Sequence, residues 1–203
     1  MAIIEIENLK KVYNPYSAYP KVALNNLSLK VDEGDFVCIM GASGSGKTTL
    51  ISIMSTIDDA TNGKIIIGNK NIATMNENEK SKMRKNEIGF IFQNYNLIDS
   101  LRIKDNILFS LRLNKINKEE QIEKLNKLSK QLGIEEILDK YPSQCSGGQQ
   151  QRAAIARALI MEPKIIFADE PTGSLDSINA KELMVLFRKI NKMNNTTIVM
   201  VTH

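Results

Sequence analysis

Apolar and polar residues alternate along several stretches of the chain, as is typical of β-strands with one buried face. The alternation runs through residues 3–9 and returns at residues 27–31, before a turn at residues 33–34. Five short apolar runs predict further strands, at residues 35–40, 64–68, 88–92, 165–169 and 196–201.

Helical patterns lie between these strands. Three single helices are predicted, at residues 47–57, 149–161 and 180–193. A longer helical insert is predicted over residues 103–139, because apolar residues recur there at helical spacing among Lys, Glu and Gln, at Ile122, Leu125, Leu128 and Leu132. Alternating strands and helices predict an α/β fold.

Composition narrows the class of protein. A chain of 203 residues suits one sizeable core with a small second lobe, and 42% hydrophobic with 25% charged residues is typical of a soluble globular protein. A net charge of +4 without a long basic run does not favour nucleic acid as a partner. The sequence shows no signal peptide, and no apolar run reaches the roughly 18 residues that span a bilayer. We expect a cytoplasmic protein without direct membrane insertion.

A phosphate-binding loop is predicted directly after the strand at residues 35–40. Gly41, Gly46, Lys47 and Thr48 fit the pattern G-x-x-x-x-G-K-[ST]. The glycines allow a tight curl that points amide hydrogens at phosphate oxygens, and Lys47 is expected to reach the β- and γ-phosphates. Thr48 offers a hydroxyl to Mg²⁺. An ordinary flexible loop is the alternative interpretation. The predicted nucleotide contacts of this segment are Gly41, Ala42, Ser43, Gly44, Ser45, Gly46, Lys47, Thr48 and Thr49.

Two carboxylates follow the buried strand at residues 165–169, where open α/β sheets bind their ligands. Asp169 suits a Mg²⁺ ligand, and Glu170 suits a group that orients or polarises the attacking water. A surface acidic pair that caps the following turn is the alternative.

Six segments together resemble the ATP-binding subunit of an ABC transporter over nearly the whole chain. In chain order they are GASGSGKTT, FQNYNL, CSGGQ, IIFADE, GSLD and the terminal His203. The resemblance implies a P-loop NTPase core of the RecA-like type, with an N-terminal antiparallel β subdomain and an inserted α-helical subdomain. It implies one ABC ATPase domain over residues 1–203, divided into a nucleotide-binding core with the β subdomain (1–93), the helical subdomain (94–145) and the signature helix with the remaining core (146–203).

The resemblance also assigns roles, with ATP and Mg²⁺ as the cofactors. Catalytic roles are implied for Lys47, Gln93, Glu170 and His203. Metal binding is implied for Thr48, Gln93 and Asp169. Tyr13 is implied to stack on adenine, although its position considered alone favours a packing residue of the core or surface.

In this family two ATP-binding subunits close head to tail on two nucleotides, so the partner is a second copy or a homologous ATPase. The resemblance implies that one subunit's signature segment faces the nucleotide of the other, through Ser146, Gly147, Gly148 and Gln149. It also implies a nucleotide contact for Asp176, in the GSLD segment. A plain Ser N-cap followed by flexible glycines explains the local sequence equally well.

Two features depart from the family pattern. Cys145 stands where relatives usually have Leu at the first signature position; with Cys38 it shows neither CxxC nor metal-ligand spacing, so we expect no disulfide. The sequence stops at His203, where relatives continue through further strands and a helix, so we expect that a C-terminal part is missing.

A transmembrane permease is the second implied partner, placing the subunit on the inner face of the cell membrane. Gln93 and residues 95–113 are expected to form the docking face, with an ordinary solvent loop as the alternative. Within the family, the chain looks most similar to the macrolide, lipoprotein and antimicrobial-peptide group, and above all to the bacitracin-type peptide-detoxification branch.

Three other classes of protein are alternatives to a transporter subunit. A chromosome-maintenance or DNA-repair ATPase would need sustained coiled-coil heptads between Lys47 and Asp169, and the chain lacks them. A GTPase or small-molecule kinase has no use for CSGGQ, and the guanine motif NKxD is missing. An ABC ATPase that signals through a membrane protein without transport stays open.

Overall fold

In the computed structural model, which describes residues 1–173 and 175–203, the strands form two four-stranded sheets. One sheet is antiparallel, with the order β2-β1-β4-β5. Its strands are β1 (Ala2–Tyr13), β2 (Lys21–Asp32), β4 (Asn62–Ile67) and β5 (Lys70–Asn71). The other sheet is parallel, with the order β3-β8-β7-β6. Its strands are β3 (Phe36–Met40), β6 (Ile88–Ile91), β7 (Ile165–Asp169) and β8 (Thr197–Thr202).

Six α-helices accompany these sheets in the described part of the chain. They are α1 (Lys47–Met54), α2 (Glu77–Asn86), α3 (Ile103–Leu113), α4 (Lys118–Leu132), α5 (Gly147–Leu159) and α6 (Ser177–Asn194). None of the helices in the described residues is both long enough and apolar enough to span a bilayer.

The parallel sheet separates two hydrophobic cores. Because successive side chains of a strand point to opposite faces, β7 contributes Ile165 and Phe167 to one core and Ile166 and Ala168 to the other. The first core lies against α1 and the antiparallel sheet, and the second lies against helices α3 to α6. Burial on both faces explains why β7 and β8 are continuous apolar runs without alternation.

The structure refines the helix predictions in three places: α1 is shorter than predicted, the helical insert divides into separate helices, and α2 was not predicted. Helix α1 ends at Met54 and not at residue 57, because Thr56 has φ 61°, which cannot continue a right-handed helix. The insert at 103–139 is two helices, since Lys115 has φ 56° and Gly133 ends α4 in the left-handed region at φ 63°. Helix α2 has one buried apolar residue, Met83, so hydrophobic periodicity did not reveal it.

The architecture agrees with the expected α/β fold, its N-terminal antiparallel β subdomain and its helical insert. Helix α3 packs against α4 and α5. The helical insert therefore contacts α5, the helix that begins with the signature segment. The exact divisions at residues 93 and 145 stay a prediction.

Candidate active site

The phosphate-binding loop joins the C-terminal end of β3 to the N-terminus of α1. Gly46, the residue before the helix, has φ 92°, and a Cβ there would lie 2.5 Å from the carbonyl oxygen of Ala23. Only glycine fits this position, because both the backbone conformation and the neighbouring carbonyl exclude a side chain. The backbone of the loop is therefore accessible at the N-terminus of α1. Amide hydrogens and the helix dipole favour an anion at this position.

Lys47 is held inside this loop. Its side chain is largely buried, and its Nζ donates hydrogen bonds to the carbonyl oxygens of Gly41, at 2.7 Å, and Ala42, at 3.0 Å. These bonds fix the ammonium beside the loop backbone, in the position from which a lysine contacts bound phosphates.

Side-chain oxygens of Thr48 and Asp169 lie close together, although the two residues belong to distant segments of the chain. The Thr48 hydroxyl donates to Oδ1 of Asp169 over 3.3 Å, linking the start of α1 to the C-terminal end of β7. Burial raises the pKa of the Asp169 carboxyl above its usual value, against the opposing effect of this hydrogen bond. A hydroxyl and a carboxylate suit Mg²⁺, which takes few protein oxygens and completes its shell with water and phosphate. The described residues contain no cluster of three or more His, Cys, Asp or Glu that would form a metal site without phosphate.

Glu170 stands at the same sheet edge. Its backbone has φ 44°, and its N–H donates to the carbonyl oxygen of Val201 over 3.0 Å. Its Oε1 lies 2.7 Å from Nε2 of His203, so the residues that follow β7 and β8 meet side by side. The carboxylate is largely buried while the imidazole is half exposed.

Gln93 also lies close to Glu170. A Cβ on Gly173 would stand 3.3 Å from Nε2 of Gln93 and equally far from the carbonyl oxygen of Glu170. The turn after Glu170 and the segment after β6 therefore approach each other at the edge of the sheet.

Most of these residues line one cleft of about 200 Å³, among them Tyr13, Lys47, Thr48, Glu170 and His203. Its other lining residues are Lys21, Val22, Ala23, Ser43, Gly44, Gly46 and Thr49. A larger cavity of about 510 Å³ lies at the opposite edge of the parallel sheet, but it is lined by none of the predicted site residues. The convergence of chemical groups, and not cavity size, identifies the candidate site.

The signature segment is placed elsewhere. Ser146 is the N-cap of α5: its Oγ accepts from the N–H of Gln149, and Oε1 of Gln149 accepts from the N–H of Ser146. Of the described residues that line the 200 Å³ cleft, none belongs to this segment. Gly147 and Gly148 instead approach Tyr95 and Asn179, whose side chains would lie 3.2 and 3.4 Å from a Cβ at those positions.

Asp176 is the N-cap of α6, and its Oδ1 accepts from the N–H groups of Ile178 and Asn179 at 2.9 Å. Ser174, within the GSLD segment, lies outside the described residues. Within one chain, the predicted contacts thus lie at the N-termini of two helices and do not line the cleft: Ser146, Gly147, Gly148 and Gln149 at α5, and Asp176 at α6.

Sequence reasoning missed two residues that surround Tyr13. The Tyr13 hydroxyl donates to Oδ2 of Asp58 over 2.8 Å, and Lys11 donates to the other oxygen of the same carboxylate. Lys11 shares a strand face with Tyr13, two positions away, which was an available signal. No sequence signal identified Asp58, because it comes close to β1 only in the folded chain.

The chain is similar to known proteins both in sequence and in fold. The model of the family described as ABC transporter matches residues 24–173. The bacitracin export ATP-binding protein BceA of Halalkalibacterium halodurans is 49% identical over 203 residues, covering 100% of this chain and 80% of the relative. The lipoprotein-releasing system ATP-binding protein LolD of Aquifex aeolicus is 45% identical over 202 residues, covering 99% of this chain and 87% of the relative. Among solved structures, the dimeric post-hydrolysis state of the ATP-binding cassette MJ0796 with ADP and Pi has a TM-score of 0.90 at 38% identity, covering 98% of this chain and 88% of that chain.

Proposed function

The chain belongs to the ABC transporter family as an ATP-binding and ATP-hydrolysing subunit, and we propose that the cleft between Tyr13, Lys47 and Glu170 is its nucleotide site. One observation carries the proposal. Lys47, Thr48, Asp169, Glu170 and His203 come from three separate segments, and the fold gathers them at the C-terminal edge of one parallel sheet. Such an edge is the usual ligand-binding side of an open α/β sheet.

The residues divide the chemistry among them. The loop amides and the Lys47 ammonium hold the phosphates, and Thr48, Asp169 and Gln93 would hold Mg²⁺. When bound, the ion neutralises charge on the phosphate oxygens. Glu170, kept in place by His203 and by its own backbone hydrogen bond, orients and polarises the attacking water. His203 presents its half-exposed imidazole to the same side, towards the γ-phosphate.

A second copy or a homologous subunit completes each site. The capped N-terminus of α5 presents the small residues Ser146, Gly147 and Gly148, which are suited to approach a phosphate of a partner chain. The dimeric MJ0796 cassette supports this arrangement. Asp176, at the start of α6, would contribute at the same interface.

A permease would dock beside the Gln93 segment. Arg157 of α5 donates to the carbonyl oxygens of Tyr95 and Asn96, so the loop after Gln93 is tied to the signature helix. A cavity of about 280 Å³ lies next to it, lined by Phe90, Phe92 and Met161 among others. Its lining also includes the cations Arg84, Lys85 and Arg157. A cavity of mixed apolar and basic character beside a nucleotide-linked loop suits a permease element whose movement follows ATP binding, and it would place the subunit at the inner face of the membrane.

Antimicrobial peptides are the proposed cargo of the transporter. The 49% identity with a bacitracin export ATP-binding protein supports this proposal. The similarity to the LolD subunit of a lipoprotein-releasing system supports lipoprotein export as the second candidate.

Glu170→Gln tests the catalytic assignment, because it keeps the shape of the side chain and removes its charge. We expect phosphate release to fall by about 10²–10⁴ while ATP remains bound. Glu162→Gln is the matched control, since Glu162 is exposed and lines the cavity at the opposite sheet edge. Equal rates of phosphate release in the two variants would refute the role of Glu170.

A further inference from the structure

Tyr13 is surrounded by a polar network at the mouth of the nucleotide cleft. Its hydroxyl donates to Oδ2 of Asp58 over 2.8 Å. Lys11 donates from Nζ to Oδ1 of Asp58 at 2.6 Å and to the carbonyl oxygen of Asp59 at 2.7 Å. The Lys11 ammonium also lies 4.7 Å from the centroid of the Tyr13 ring. Lys11 thus pairs with the carboxylate and covers the aromatic ring at the same time.

The network connects the ring to the phosphate-binding helix. The Tyr13 hydroxyl lies 3.4 Å from Oγ1 of Thr49, which is in the first turn of α1, next to Thr48. Asp58 lies in the segment between α1 and β4. The ring at the end of β1 is therefore held from both ends of the helix that carries the phosphate loop.

The Lys11–Asp58 pair is mostly buried. The Lys11 side chain is 11% exposed and that of Asp58 is 29% exposed, so their 2.6 Å ion pair is largely shielded from water. The Lys11 ammonium has few alternative positions. If it moved away from Asp58, one or both charges would be left unpaired and poorly hydrated. The adjacent Lys10 is exposed, on the opposite face of β1.

We propose that Lys11 and Asp58 are positioning residues for the base of the bound nucleotide: Asp58 fixes the Tyr13 ring, and Lys11 covers one ring face so that a purine stacks on the other. The inference rests on the proposed nucleotide site, in which the base stacks on Tyr13, and adds the two residues that position the Tyr13 ring. A cation on one face attracts the electron density of the ring, and the opposite face becomes a better partner for an electron-rich purine.

The test compares two ligands, ATP and inorganic tripolyphosphate, because only ATP carries a base. Lys11→Met removes the cation and keeps the length of the side chain. We expect it to weaken ATP binding about 2–5-fold, which corresponds to a cation–π contribution of about 0.5–1 kcal/mol, and to leave tripolyphosphate binding unchanged. Lys10→Met is the matched control and should change neither affinity. Lys11→Arg should keep the affinity for ATP, since a guanidinium also pairs with a carboxylate and stacks on an aromatic ring.

Calorimetry on the full chain and its variants separates the outcomes. If the parent binds neither ligand, the proposed nucleotide site fails. If the parent binds both and Lys11→Met weakens both equally or neither, only the positioning inference fails. Should Lys11→Met not fold, Tyr13→Phe gives the same decision: it keeps the ring and the Lys11–Asp58 pair but breaks the hydroxyl contact, so a loss of affinity confined to ATP supports the inference and an unchanged ratio overturns it.

Discussion

Nε2 of His203 lies 2.7 Å from Oε1 of Glu170, and this contact joins the ends of the neighbouring parallel strands β8 and β7. Glu170 is thereby held by a side-chain contact on one side and by its backbone bond to Val201 on the other. A carboxylate that orients water needs a fixed position, since a misplaced reacting group loses most of its effect. His203 therefore has two proposed tasks, at the γ-phosphate and at Glu170.

His203→Ala should reduce phosphate release by about 10²-fold and leave ATP affinity nearly unchanged, because the phosphate loop holds the nucleotide without the imidazole. Steady-state hydrolysis and ATP titration measure the two quantities. The chain has one histidine, so the ¹⁵N resonances of its imidazole can be assigned without ambiguity. They should shift on Glu170→Gln, and unchanged resonances would contradict the contact.

The ionised Asp169 carboxylate is predicted to help bind the nucleotide while it lowers the stability of the nucleotide-free chain. Burial above all raises the pKa of its carboxyl over the usual 3.8, so the folded chain binds this proton more tightly than the unfolded chain does. The ionised carboxylate therefore lowers the free energy of unfolding at neutral pH. The penalty is complete above the folded pKa and disappears once the pH falls below about 3.8.

Asp169→Asn should accordingly raise the Tm of the nucleotide-free chain by a few degrees at most at pH 7.5, with a smaller gain at lower pH. It should also remove the stabilisation by ATP that depends on Mg²⁺. Asp139→Asn is the control of opposite sign, because Lys104 and then Arg102 lower the pKa of that exposed carboxyl. A lower Tm for Asp169→Asn at pH 7.5 would contradict the assigned cost of burial.

Local patterns were enough to predict the phosphate loop and the strand before Asp169, because each is a continuous segment whose residue types the backbone geometry demands. Helix α2 escaped prediction by periodicity, although its capping box, in which Asn76 and Glu79 bond each other's backbone N–H, was visible in the sequence as N-x-x-E. The pairing of Lys11 with Asp58 joins residues 47 positions apart and exists only after β1 meets the segment behind α1. Such contacts depend on packing, which no local pattern records.

The docking proposal predicts that the loop after Gln93 touches the permease. Asp99 and Ser100 are both exposed, and a cysteine at either position should crosslink to a co-purified permease. The experiment uses a Cys38→Ser background, because this substitution removes the exposed native thiol. Cys145 is buried, and burial raises the pKa of its thiol, so it should react slowly and can stay.

A cysteine at Asn69, which is exposed in the turn between β4 and β5, is the matched control for this crosslinking. Mass spectrometry of the crosslinked products identifies the joined peptides. Crosslinks from Asn69 equal in yield to those from Asp99, or none from Asp99 and Ser100 in an assembled complex, would rule out this docking face.

The proposed head-to-tail dimer would place the signature serine, Ser146, against a partner's phosphate, and the N-cap geometry of Ser146 supplies a matched pair of variants. Ser146→Asn and Ser146→Asp have almost the same shape, and both residues cap helices about as well as serine. Either variant should therefore preserve α5 and the affinity of the monomer for ATP. Only aspartate adds a negative charge at the position proposed to face the γ-phosphate.

In a Glu170→Gln background, which should let ATP accumulate, we expect the parent and Ser146→Asn to form dimers with Mg²⁺ and ATP. Ser146→Asp should stay monomeric, because a carboxylate facing a phosphate within a closing interface is strongly repelled. Size-exclusion chromatography with light scattering measures the mass, and melting curves verify that α5 remains capped in both variants. The comparison requires a parent that dimerises, since only then does the difference between Asn and Asp report on the interface. If Ser146→Asp dimerises as well as Ser146→Asn, or if it loses ATP binding as a monomer, Ser146 does not face the phosphate of a partner.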